Sequence, residues 1–176
     1  MQTNISISGN RMEIPERLHT KDLPANQVFG SEEYIFRRFN SMDPKVKNQV
    51  STSALPFDVG GDSYNRGFYC SCPEDVLYEI HNQTDIYKDY GILFFIIEEL
   101  YSQNGNVTTG SGREQKIYKV DAKAIHDPTP LMYPHTIMEI SVDDVVMREQ
   151  LSPNLLRRVY REKLRRICKI YREPQK

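Results

Sequence analysis

Residues 115–147 read QKIYKVDAKAIHDPTPLMYPHTIMEISVDDVVM, and this stretch decides the expected fold class. Polar and apolar residues alternate in 115–127 and again in 136–147, and a period of two is typical of a half-buried β-strand. In the second stretch Met138 falls on one side of the strand and Glu139 on the other. Together with helical signals elsewhere in the chain, these strands predict an α+β domain with a mixed or mainly antiparallel sheet.

Other segments extend the predicted sheet. Residues 31–40 (SEEYIFRRFN) alternate in polarity and residues 67–71 are aromatic and small, so both predict strands, whereas residues 72–83 predict a helix with an acidic first turn. The apolar run within 90–105 predicts either a buried strand that continues into a short helix or a single buried helix, because periodicity does not separate the two for so short a run. The polar, glycine-rich residues 104–114 predict a flexible loop.

The C-terminal segment carries the clearest helical signal. Ser152 followed by Pro153 is typical of a helix start, with serine as the cap and proline at the first helical position. Apolar residues then recur at helical spacing as far as Tyr171, which predicts a long amphipathic helix. Between Arg157 and Arg172 the segment holds eight Lys or Arg residues and one acidic residue, so one side of the helix is expected to be basic. The residues expected to bind a partner are Arg157, Arg158, Arg161, Arg165 and Lys169.

Length and composition predict one domain. The chain has 176 residues, of which 39% are hydrophobic and 27% charged, as in ordinary globular proteins. Pro15, Pro24 and Gly30 interrupt the polar residues 1–30, so an irregular N-terminal arm is expected before a single α+β domain at 31–176. No apolar run approaches the roughly 18 residues that cross a bilayer, and no secretory signal is visible, so we expect no membrane partner and a cytoplasmic location.

The three cysteines do not form an obvious disulfide or metal framework. Cys70 and Cys72 are too close in sequence for an easy mutual disulfide, and Cys168 is distant, so we expect reduced thiols. A zinc site needs about four ligands, and no histidine stands at a recognised zinc spacing from the two close cysteines. The sequence therefore predicts no metal site.

Arginines and hydroxyls near the first strand have the chemistry of an anion-binding site. Arg37 and Arg38 precede Lys45, Lys47 and the hydroxyl residues 51–53. Guanidinium groups bind phosphates and carboxylates through two hydrogen bonds, and nearby hydroxyls can bond the same anion. The alternative is a charged strand edge followed by a serine-rich turn.

Two histidines form a second candidate group. His126 and His135 flank a proline-rich connection, with Glu139 on the next strand, so the two imidazoles could converge on one site as acid, base or ligand. The alternative is a turn in which Asp127 bonds its own backbone. The full candidate catalytic cluster is Arg37, Arg38, Ser51, Ser53, His126 and His135.

Residues 59–79 (VGGDSYNRGFYCSCPEDVLYE) resemble the GG-R-W-N, Tyr and Glu pattern of RES-type toxins, which are ADP-ribosyltransferase-like enzymes that degrade NAD. The resemblance implies NAD as a ligand, with Arg37 or Arg38 as the early NAD-contacting arginine. It also implies that Tyr69 stacks on nicotinamide and that Glu79 is the carboxylate that stabilises positive charge on the ribose. The arginine and tryptophan of the GG-R-W-N pattern are absent here.

A broader set of motifs spans residues 34–140. These are FRR at 36–38, VK at 46–47, STSALPFD at 51–58 and HDPTPLMYPH at 126–135. In this order they resemble a widespread group of small uncharacterised bacterial proteins. The resemblance implies a bacterial or phage source and names no reaction.

Two functions are therefore expected. The first is an accessory or interaction protein of a bacterial or phage multi-protein system, of defence or toxin–antitoxin type, that binds a protein or nucleic-acid partner through the basic helix. The second is an ADP-ribosyltransferase-like or other phosphate-recognising enzyme that uses the Arg, Ser and His cluster. The chain has no G-x-S-x-G nucleophile motif and no Walker loop, which argues against a hydrolase of that type and against a nucleotide-driven motor.

Overall fold

A computed structural model of the chain describes residues 28–43, 45, 49–55, 62–70, 72–77, 87–110, 112–114, 116–127, 135–144 and 153–175. Within these residues the chain forms one seven-stranded sheet and two α-helices. The strands are β1 (Tyr34–Phe39), β2 (Asp62–Arg66), β3 (Gly91–Ile96), β4 (Gly105–Thr109), β5 (Lys116–His126), β6 (His135–Asp144) and β7 (Lys169–Arg172). The helices are α1 (Ile97–Tyr101) and α2 (Pro153–Ile167), and 3₁₀ helices form at Thr52–Ala54, Pro73–Leu77 and Gly112–Glu114.

The described strands lie in the order β4-β5-β6-β2-β1-β3-β7, and every neighbouring pair is antiparallel. The pair β5–β6 is registered from Tyr118 opposite Asp144 to His126 opposite Thr136. These are the two alternating segments that predicted the fold class. The expected α+β fold with a mainly antiparallel sheet is confirmed.

One face of the sheet, here called the helix side, carries the main core. Alternate residues of each strand point to this face, where they pack against the buried residues Leu156, Tyr160 and Leu164 of α2. The sheet residues of this core are Ile35, Phe39, Tyr64, Leu93, Phe95, Val107, Tyr118, Val120, Ala122, Ala124, Met138 and Ile140. Burial of this apolar face fixes the register of the strands.

The opposite face of the sheet, here called the far face, is covered over part of its area. Phe36 and Ile92 pack there against Val76 and Leu77 of the second 3₁₀ helix. Farther along, β5 and β6 turn charged residues to solvent, among them Lys119, Lys123 and Glu139. A sheet with one buried and one solvated face gives a regular alternation of apolar and polar residues. For this reason the sequence predicts β5 and β6.

The C-terminal segment departs from the prediction of one long basic helix. α2 ends at Ile167, and Lys169–Arg172 forms β7 beside β3. Backbone groups along the outer edge of β3 form hydrogen bonds with β7, and Ile170 of β7 packs against the core. Tyr171, counted by its spacing as part of the apolar stripe, is 50% exposed. Ser152, the expected cap, lies outside the described residues.

Three other local predictions have mixed outcomes. The strand expected at 67–71 lies earlier, as β2, and residues 67–69 form a turn. The segment 104–114 contains β4 as well as a loop, because Val107 reaches the core through alternation. For 90–105 the alternative of a strand continuing into a short helix is confirmed by β3 and α1.

Neither α-helix in the described part of the chain has the length and apolarity needed to span a bilayer. The expected N-terminal arm falls almost wholly on residues that the structure does not describe.

Candidate functional site

The two predicted arginines of β1 lie on opposite faces of the sheet, because neighbouring residues of a strand alternate. On the helix side, Arg37 forms an ion pair of 2.8 Å with Asp62, and its guanidinium lies 5.2 Å from the centre of the Tyr64 ring. On the far face, the Arg38 guanidinium stacks 3.8 Å from the centre of the Tyr87 ring. The two guanidinium groups therefore serve separate contacts.

The predicted serines bond each other. The Ser51 and Ser53 hydroxyl oxygens are 2.9 Å apart at the first 3₁₀ helix, which packs near α2. Val50 and Leu55 on either side are buried in the main core. This local arrangement matches the serine-rich turn that the sequence left open as an alternative. Lys47 lies outside the described residues.

The two predicted histidines also face opposite sides. His126 pairs in register with Thr136 on the helix side, whereas His135 follows the register of the far face. His135 Nδ1 lies 2.9 Å from an Asp127 carboxylate oxygen, in a partly exposed pair. His126 is 3% exposed and its ring centre lies 5.7 Å from that of Tyr69. The structure thus brings His126 to a different set of neighbours from His135.

A buried polar cluster surrounds the end of β2, and we call it the Arg66 cluster. Arg66 is 1% exposed and donates from Nε and Nη2 to the two carboxylate oxygens of Glu33, at 2.6 and 2.5 Å. Its guanidinium lies 3.9 Å from the centre of the Phe29 ring and 5.4 Å from that of Tyr69. The remaining member, His126, contacts the cluster through Tyr69.

The environment of the Arg66 cluster favours the neutral form of the His126 imidazole. Burial lowers the pKa of the His126 imidazole below its ordinary value, and the positive charge of Arg66 lowers it further. Within the described part of the chain, Arg66 Nη1 and both ring nitrogens of His126 are buried without a hydrogen-bond partner. An unpaired buried polar group costs about 1–3 kcal/mol. These nitrogen atoms are therefore hydrogen-bonding groups that the described residues leave unsatisfied.

No pattern in the sequence indicates that Arg66 and Glu33 are paired. The signal that could have identified Arg66 is strand alternation. In β2, Arg66 lies two residues after Tyr64 and therefore on the same buried face. An arginine at a buried strand position requires a carboxylate, but its partner is 33 residues away in the chain. Local pattern does not identify such a partner.

An open cleft of about 560 Å³ lies beside this cluster. Its walls come from the segment before β1 and from the turn after β2. The lining residues are Val28, Gly30, Ser31, Glu32, Glu33, Tyr34, Arg66, Gly67 and Phe68. A concave surface of this size that combines apolar and polar groups has the dimensions of a ligand site.

The predicted basic residues of the C-terminal segment fall into two groups. Arg165 bonds Asp43 at 3.1 Å and Glu162 at 2.7 Å, and Lys169, on β7, bonds Glu99 at 2.7 Å. These charges are compensated within the fold. Arg158 is exposed on the outer side of α2, while Arg157 and Arg161 are partly buried at its flank.

A shallow depression of about 470 Å³ follows the outer side of α2. It is lined by Arg158, Val159, Glu162, Lys163 and Arg166. Lys163 and Arg166 are not among the residues that the sequence predicts to bind a partner. The available signal was the spacing of Arg158, Glu162 and Arg166 at four-residue intervals, which places them on one side of a helix.

Two remaining points from the sequence are the metal site and the carboxylate implied by the toxin resemblance. Among the described residues, no three His, Cys, Asp or Glu side chains are grouped as a metal site would require. Glu79, the carboxylate implied by the toxin resemblance, is not described. Comparison with family models, with curated proteins and with solved structures finds no match to this chain.

Proposed function

We propose that this protein is an interaction module that binds the phosphate backbone of a nucleic acid through the depression on α2. The observation that carries the proposal is the charge of that depression. Arg158, Lys163 and Arg166 line it, and its acidic residue, Glu162, already bonds Arg165. A concave surface lined mainly by one sign of charge focuses the electrostatic potential and attracts the opposite charge.

The spacing of the cations suits a polymer. Arg158 and Arg166 are exposed and eight residues apart, which is about 12 Å along a helix axis. Between them Lys163 donates to the Gln103 carbonyl oxygen at 3.1 Å, a bond that positions the ammonium group without removing its charge. A phosphate backbone running along α2 would meet successive cations, and arginine binds each phosphate through two hydrogen bonds.

Overall net charge does not oppose this role, because the positive charge is local. The chain carries a net charge of −1, whereas α2 has six Lys or Arg residues and one acidic residue. Attraction to a phosphate backbone acts within about 10 Å at ordinary salt, so the local surface decides it. Such a module fits the accessory role in a bacterial or phage multi-protein system that the sequence suggested.

Salt-dependent binding tests the proposal. Fluorescence anisotropy with a short labelled single-stranded RNA and a duplex DNA should give affinity that falls linearly, on logarithmic scales, with salt concentration. Replacing both arginines in an Arg158→Ala/Arg166→Ala variant should weaken binding and reduce that slope by about 1 to 2, since two phosphate contacts are lost. Both side chains are exposed, so the fold should be retained.

The matched control removes two cations from the far face. A Lys119→Ala/Lys123→Ala variant has the same change in net charge and should bind as the unmodified protein does. Equal weakening in both double variants, or no binding at low salt, would contradict the proposal. Binding to polyglutamate but to neither nucleic acid would replace the nucleic acid by an acidic protein partner.

A further inference from the structure

The cleft beside the Arg66 cluster concentrates exposed apolar side chains. Val28, Tyr34 and Phe68 are 87%, 45% and 69% exposed, and all three line this cleft. They are three of the six large apolar residues that are exposed in the described part of the chain. Single exposed apolar residues scattered over a surface are ordinary, whereas several grouped in a concave region are typical of a binding surface.

The two aromatic rings at this cleft are held in place by other rings. Tyr34 packs edge-on against Phe94, with ring centres 5.4 Å apart, and Phe68 packs edge-on against Tyr69 at 5.0 Å. Each ring therefore has a defined orientation while much of its surface faces solvent. Preformed rings bind with a small loss of conformational entropy.

The accessible polar side chains of the cleft, Glu32 and Ser31, both accept hydrogen bonds, and Glu32 is negatively charged. Glu32 is exposed and forms no ion pair within the described residues, and the Ser31 hydroxyl is exposed beside it. The positive charge of Arg66 does not offset Glu32, because the Arg66 guanidinium is buried and bonded to Glu33. The cleft is therefore aromatic and acidic, and its complement is a cation with an apolar stem.

We propose that this cleft binds an arginine side chain of a peptide partner. The guanidinium group lies against the exposed ring of Tyr34 or Phe68 and donates two hydrogen bonds to the Glu32 carboxylate. Arginine suits this surface better than lysine, because its group is planar, stacks on aromatic rings and is more weakly hydrated. This surface is separate from the basic depression, since no residue lines both.

Titration with short peptides tests the proposal. The probes are acetyl-Gly-Arg-Gly-amide and its citrulline counterpart, which keeps the shape of arginine and removes the charge. Binding is followed by NMR through the backbone amides of Gly30, Ser31 and Gly67. The arginine peptide should shift these amides in a saturable manner, and the citrulline peptide should bind more weakly by about tenfold, the value of a charged hydrogen bond.

Variants locate the site. Glu32→Gln should weaken binding of the arginine peptide by about tenfold, and Phe68→Ala by about two- to fivefold through the lost cation–π contact. Glu139→Gln, which neutralises an exposed carboxylate of β6, is the matched control and should leave affinity unchanged. Since Glu32 and Phe68 are exposed, the amide spectrum should otherwise be preserved.

Several results would overturn the proposal. They are equal binding of the arginine and citrulline peptides, unchanged affinity in Glu32→Gln, or the absence of saturable shifts. The Arg158→Ala/Arg166→Ala variant should bind the arginine peptide normally, so failure of the nucleic-acid proposal and failure of this one are separable.

Discussion

Arg66 carries a positive charge at 1% exposure, and Glu33 is the carboxylate that pairs with it. The two hydrogen bonds of this pair are reinforced by a contact of 3.4 Å from Arg66 Nη2 to the Val28 carbonyl oxygen. Taking a charge out of water costs several kcal/mol, and only a well-placed opposite charge offsets that cost. The pair also orients the backbone between Val28 and Glu33, which forms one wall of the cleft.

Glu33→Gln should therefore destabilise the protein by about 3–5 kcal/mol, because it leaves the guanidinium buried without a counter-charge. Urea unfolding followed by circular dichroism measures the change. The neighbouring substitution Glu32→Gln is the control, since this exposed carboxylate should change the free energy of unfolding by less than about 0.5 kcal/mol. Similar small effects of the two substitutions would show that the buried charge is hydrated.

At the level of residues, the sequence indicates which side chains have the chemistry of a site, but it does not show which of them the fold brings together. Arg37 and Arg38 were correctly located in a strand, but strand alternation itself separates their side chains. His126 and His135 are separated by the same alternation across the end of the β5–β6 pair. Arg66 could not be predicted as a buried residue, because its burial depends on Glu33, which only the folded chain brings near.

Among the secondary-structure elements, β7 most alters the expected architecture. The segment continues the helical spacing of α2, yet it pairs with the outer edge of β3. An edge strand presents unpaired backbone groups, and pairing with a nearby segment satisfies them. The change from helix to strand at Cys168 is therefore a tertiary effect that overrides local propensity.

The β3–β7 pair depends on a glycine. A Cβ at Gly91 would lie 2.5 Å from carbons of the Phe39 ring and 2.8 Å from the Arg172 carbonyl oxygen, which is too close for either contact. Gly91→Ala should destabilise the protein by about 1–3 kcal/mol through overpacking, and it should weaken protection of the β7 amides in hydrogen exchange.

Gly30→Ala is the matched control for that substitution. The nearest atom to a Cβ there is the Glu33 Cβ, at 4.0 Å, which is an ordinary contact. The melting temperature should therefore stay close to that of the unmodified protein. Unchanged protection of β7 in Gly91→Ala would show that the strand does not depend on the close approach of β3.

The elements that the sequence predicted well are those whose pattern is local. β5 and β6 alternate because one face of the sheet is buried and the other is solvated. β2 has the sequence DSYNR, in which two of the three buried residues are polar, so alternation of hydrophobicity gave no signal. β4 was obscured by neighbouring glycines and threonines that are typical of loops.

For the whole molecule, the two proposed binding surfaces differ in charge and share no lining residue. α2 covers the helix side and presents Arg158 and Arg166 outward, while the segment before β1 and the turn after β2 present Glu32 with exposed rings. Together the two proposals predict a protein that contacts a nucleic acid and a basic peptide at the same time.

The stability of the whole molecule should depend on pH through His126. Its folded pKa is lowered by burial first and by Arg66 second, whereas the negative charges of Asp127 and Glu33 act in the opposite direction. In the unfolded chain the pKa returns to about 6.5. The unfolded state therefore binds more protons as the pH falls below that value, and the free energy of unfolding should decrease from about pH 7 towards the lowered folded pKa.

His126→Gln removes this titration and should flatten the pH dependence between about pH 7 and 5.5, where most carboxylates remain ionised. Urea unfolding at several pH values gives the slope for both proteins, and an NMR titration of the His126 ring protons gives its pKa directly. The same slope in both proteins, or a ring that titrates near its ordinary pKa, would contradict the expectation. A flattened slope would show that burying a neutral imidazole beside Arg66 couples protonation to unfolding.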